Sequence, residues 1–147
     1  MHLIGVMVSN VFVMQLWIMN TASQKYIHEL HSEHNIYLST LEFAKDEIKT
    51  FNNRLSDIVI ANTKQEILAQ VEHFQNQFIR HNEVIDELKH DVHEYEVWIA
   101  RIAESNNVAT DHRKVEDHAD LRDQMDTFTH IFSELKNEFK LFLEKAY

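Results

Sequence analysis

The 147-residue sequence contains no cysteine, no proline and a single glycine, Gly5. Without cysteine there is no disulfide framework, no thiolate metal site, no cysteine nucleophile and no thiol redox chemistry. Strand-rich folds depend on tight turns, and turns lean on Gly and Pro, so an all-β architecture is disfavoured from the start. One glycine also excludes Gly-rich phosphate loops, dinucleotide fingerprints and a nucleophile elbow. Several common enzyme classes leave the discussion at this step, and no catalytic constellation of Ser, His and Asp stands out among the remaining residues.

Positive charge is also scarce. Fourteen Lys and Arg face twenty-four Asp and Glu, a formal net charge of −10 with His neutral. Such a chain repels phosphate backbones, so nucleic acid is not an expected partner. What the composition does hold is eleven histidines among those carboxylates, a mixture able to bind metals or to respond to pH.

Three segments carry an unbroken helical repeat with steps of three and four. The first runs through Ile27, Leu30, His34, Tyr37, Leu41, Ala44, Ile48, Phe51, Leu55 and Ile58. The second runs from Val71 through Phe74, Phe78, His81, Ile85, Leu88, Val92 and Tyr95 to Ile102, and the third from His118 through Leu121, Met125, Phe128, Phe132, Leu135 and Phe139 to Ala146. This is an a/d heptad pattern, and no strand-like alternation competes with it. Leu38, Leu68, Val84, Trp98, Ile131 and Leu143 flank the stripes, the widened face that a helix needs when it meets two neighbours. Polar breaks lie near Ala61-Asn62-Thr63 and over Ser105–Thr110. Thr63 with Glu66 reads as a capping box for the second helix, and Thr110 or an Asn with Asp111 as the start of the third. Short connections make sequential helices antiparallel. The expected fold is therefore all-α: an elongated antiparallel up-down-up bundle of three long helices over residues 20–147, preceded by an extra apolar segment over residues 1–19.

That segment, Leu3 to Met19, is apolar except for Gly5, Ser9, Asn10 and Gln15, and the first Lys or Arg is Lys25. Three readings compete: a translation start at Met19, a membrane anchor or signal, and an extra helix packed on the bundle. Ile36 and Phe43 sit one heptad apart on the side away from the first stripe, where they are expected to meet a second copy or another helix.

His34, His81 and His118 occupy core slots. A buried polar group without a partner costs about 1–3 kcal/mol, so each is expected to meet a carboxylate, a Tyr hydroxyl such as that of Tyr37 or Tyr95, or a metal. The loop positions bring residue 34 to about residue 89 across the first helix pair and residue 118 to about residue 97 across the second. That register gathers His28, His31, His34, His90, His93, His112 and His118 in one half of the bundle. Within it, His31, His34, His90, Glu94, Asp117 and His118 are candidate metal ligands. His90-x-x-x-Glu94 places an imidazole and a carboxylate one turn apart, and His112-x-x-x-x-Asp117 followed by His118 adds donors from the third helix. The arrangement resembles the hemerythrin-type pattern of His, His-x-x-x-Glu and His-x-x-x-x-Asp on successive helices, and that resemblance implies a bundle-core iron site. It departs from the family in having no His-x-x-x-His pair and three strong helices instead of four.

The expectation drawn from all this is a non-enzymatic, acidic, cytoplasmic interaction or scaffold bundle. It associates with itself as a homodimer or with another helical protein, needs no cofactor, and meets a membrane only if residues 3–19 are an anchor. The alternatives are a His/carboxylate bundle binding iron or zinc, and a histidine-based pH-responsive bundle.

Overall fold

The computed structural model describes residues 2–105 and 112–147, without the side chains of 2–9, 16, 19–23, 103, 105 and 112–116. The described residues form three helices, α1 (His2–Ala61), α2 (Gln65–Ser105) and α3 (His112–Ala146). They pack as an all-α bundle, with α2 antiparallel to both neighbours and α1 parallel to α3. The stripes become the core: Leu41, Ile48, Leu55 and Ile58 from α1, Phe78, Ile85 and Val92 from α2, and Leu121, Phe139 and their heptad neighbours from α3 are buried. Leu38, Val84, Trp98 and Leu143 pack against this core from its edges, whereas Ile131 is largely exposed.

Two expectations about detail are corrected. α1 ends at Ala61, where the polar break begins, and Asn62 closes its last turn with both its backbone N and its side-chain Nδ2 on the carbonyl of Ile58, at 2.9 and 3.1 Å. The register across the turn does differ: His34 lies beside Glu96, one heptad beyond the expected level of residue 89. Thr63 does not cap α2: the carbonyl of Lys64 accepts the first helical bond, from Leu68 N at 3.1 Å, which leaves Thr63 one residue outside. The expected cap of α3 at Thr110–Asp111 lies outside the described residues.

The apolar N-terminal segment is no separate element. It continues α1, a single helix of 60 residues that spans about 90 Å at the usual rise. With His34 beside both Glu96 and His118, α2 and α3 run out at the level of roughly residues 25 to 28 of α1. Among the described side chains of α1 the first in the core is Leu30, and Val11, Phe12, Val13, Met14, Trp17 and Ile18 are all exposed. Among the described residues no helix is long and apolar enough to cross a membrane; of the stretch 3–19, that description includes the side chains of residues 10–15, 17 and 18.

Candidate functional site: a buried histidine chain

Heptad spacing turns His34 of α1 and His118 of α3 into the core, and at this level α2 contributes Tyr95 and Glu96. Both histidines are buried. Their Nε2 atoms lie 2.8 Å apart, and His34 Nδ1 is 2.6 Å from Glu96 Oε1. The other oxygen of Glu96 lies 2.7 Å from Nδ1 of His31, one turn before His34 and half exposed. The rings of Tyr37 and Tyr95 close over His34 at 6.4 and 5.9 Å, and Tyr95 meets His118 edge-on at 5.2 Å.

The tautomers follow from this network. An ionised carboxylate only accepts, so His34 Nδ1–H donates to Glu96. With its proton on Nδ1, His34 offers Nε2 as the acceptor for His118 Nε2–H. That leaves His118 Nδ1 without its proton, and this atom is buried with no hydrogen-bond partner. A proton added there would be a buried positive charge facing no acceptor. Burial first, then the nearby Arg122 guanidinium and His34, depress His118 from 6.5 to about 4.

A second network borders the first. Arg122 of α3 grips Glu33 of α1 through two parallel bonds of 2.7 and 2.9 Å, and the Tyr37 hydroxyl donates to the same carboxylate. The Arg122 hydrogen bond is the main influence that lowers Glu33 to about 2, against an opposing effect of burial. Burial, and then the bond to Glu33, push Tyr37 upward. On the α2/α3 side, Asp91, Glu94, Asp117 and Asp120 border a shallow concavity beside Tyr95. Burial, followed by the charges of Asp117, Asp91 and Asp120, raises the Tyr95 hydroxyl to about 12.

Of the six candidate ligands, the fold brings together His31, His34 and His118. His90 and Glu94 pair with each other at 3.2 Å on the exposed surface of α2, and Asp117 is exposed beside the concavity. Among the described residues, no group of three His, Asp or Glu side chains is placed to hold a metal ion. The carboxylate that meets the core histidines is Glu96, and His34 and His118 also meet each other. Glu96 and Arg122 were missed, and Glu33, in the expected half of the bundle, was not among the candidate ligands. Glu96 follows a core residue, Tyr95, and would have been found with the correct register; Glu33 immediately precedes His34, and Arg122 follows His118 by one helical turn. His81, the third core histidine, satisfies its Nδ1 on the Gln77 carbonyl of its own helix at 2.8 Å. His28 and His93 are exposed.

The remaining polar surface is conventional. Lys45 pairs with Asp86, Lys89 with Glu42, and Lys136 with Glu47, each bridging two helices. Comparison with protein-family models, with curated proteins and with solved structures yields no match.

Proposed function

We propose that this protein is a non-enzymatic, acidic helical-bundle scaffold that associates with a second copy through the outer face of α1. The observation that supports this reading is the exposure of Ile36 and Phe43, 65% and 67%, one heptad and therefore about 10 Å apart on one helix face. Large apolar side chains placed in register on an otherwise polar face are what a helix–helix contact uses. A two-fold contact would set Ile36 of each copy near Phe43 of the other. Sedimentation equilibrium at micromolar concentration tests it. The wild type is expected to be dimeric and the Ile36→Glu, Phe43→Glu double variant monomeric with unchanged helicity. A monomeric wild type overturns the reading.

A second reading, a bundle that responds to pH, is favoured by the Glu96–His34–His118 chain and its unpartnered terminal nitrogen. Its test is the acid dependence of stability set out in the Discussion.

A further inference from the structure

The described side chains of α1 before the bundle have an unusual distribution. Val11, Phe12, Val13 and Met14 are consecutive, and each is between 57% and 64% exposed. Successive residues of an α-helix are turned by about 100°, so four in a row cover its whole circumference. Past one exposed amide, Gln15, Trp17 and Ile18, also exposed, add further apolar surface on the next turn. A partner helix covers one face of such a segment, and the stripes of α1 within the bundle show what that looks like: apolar residues on one side, Glu42, Asp46, Lys45 and Lys49 on the others. A helix that is apolar on every side calls for an apolar medium around it. No Asp, Glu, Lys or Arg occurs before Lys25, so no charge in this part of the sequence opposes transfer out of water.

We infer that this part of α1 buries itself in the apolar interior of a lipid bilayer. The described run from Val11 to Ile18 rises about 12 Å, less than half of a hydrocarbon core of about 30 Å, so burial in the bilayer and not a crossing of it is what is inferred. The attraction is hydrophobic. With no Lys or Arg in the inserting part and a net charge of −10 on the whole chain, anionic lipid headgroups add nothing to it. The surface involved is separate from Ile36 and Phe43, and the inference stands whether or not two copies meet there.

Flotation of the full chain with vesicles of neutral phosphatidylcholine tests it. The wild type is expected to rise with the vesicles. Phe12→Asp combined with Val13→Asp should cut the floated fraction at least tenfold, because carboxylates are strongly excluded from hydrocarbon. Ile60→Asp, a change at a still more exposed apolar position beyond the other end of the core, should leave it unchanged. Adding one-third anionic lipid should not strengthen binding. The inference is overturned if the wild type stays at the bottom of the gradient, if the double variant floats as the wild type does, if Ile60→Asp lowers flotation equally, or if anionic lipid is required. A wild type that fails to float and sediments instead as a large assembly, dispersed by the same double substitution, would show copies of the chain covering the segment.

Discussion

The two ends of the bundle core are built on the same heptads and filled by opposite chemistry. Near the α1/α2 turn, Phe51, Phe74, Phe78, Phe139 and Phe142 pack ring against ring with centroids 5.0–5.6 Å apart. Near the other end, the corresponding slots hold His34, Tyr37, Tyr95 and His118, ringed by Glu33, Glu96 and Arg122. The phenylalanine end needs only volume and shape, and its stability follows from area removed from water. The histidine end must satisfy each nitrogen and oxygen individually, and leaves His118 Nδ1 unsatisfied. The slots at one end hold no titratable side chain, and those at the other hold two histidines and two tyrosines.

Removing a ring from the aromatic end should have the largest effect. Phe78 is fully buried and touches Phe51, Phe74 and Phe139, so Phe78→Ala should lower the unfolding free energy by about 3–5 kcal/mol, measured by urea denaturation. The loss should be the same at pH 8 and pH 5, which is the mark of the dry end.

Acid should act almost as strongly on the histidine end. His118 has a folded value of about 4 against 6.5 unfolded, so between these values the unfolded chain binds more protons. Stability is held above pH 6.5 and lost as pH falls toward 4, by up to about 3 kcal/mol. Glu33, lowered to about 2, is also ionised in the fold when unfolded carboxylates begin to protonate, so its contribution holds above 4.5 and is lost from there to about 2. Thermal melting of wild type and His118→Leu from pH 8 to pH 4 separates the two: the substitution should flatten the loss above pH 4.5 and leave that below it. A wild type whose melting is level across pH 6.5–4 would break the contrast between the ends.

Smaller effects sharpen the account of the chain. At pH 8, His118→Leu alone strips His34 Nε2 of its donor and should cost about 1–3 kcal/mol. Replacing both His34 and His118 by Leu should cost less than the sum of the two single changes, since no nitrogen is then left bare. Glu33→Gln loses the two-pronged Arg122 contact, which is a quarter to half exposed, and should cost about 1 kcal/mol. Least of all, Glu94→Gln breaks an exposed pair with His90 and should change stability by no more than about 0.5 kcal/mol.

What could be read from the sequence divides along the same lines. Heptad spacing identifies which side chains are inside, and Leu41, Phe78, Phe139 and all three core-slot histidines are buried as that spacing requires. It does not identify which of them touch across helices, because sliding one helix by seven residues returns the same apolar pattern. The α1/α2 register is displaced by such a step. For the hydrophobic core this exchanges one large apolar residue for another, but for His34 it exchanges Lys89 for Glu96, a cation for a carboxylate. Apolar contacts tolerate the degeneracy and polar ones do not, so the fold was legible and the pairing within the site was not. The Glu33–Arg122 contact was further hidden because it joins α1 and α3, which run parallel and share no turn.

The continuity of α1 has a mechanical consequence. From Val6 to Ala61 the helix contains neither glycine nor proline, the residues at which long helices most often bend. Rotating or tilting residues 10–18 therefore turns His34, Ile36 and Phe43 as parts of one stiff rod, with no joint in the chain to absorb the motion. A body that gripped the exposed tip would hold a lever whose other arm lies inside the core.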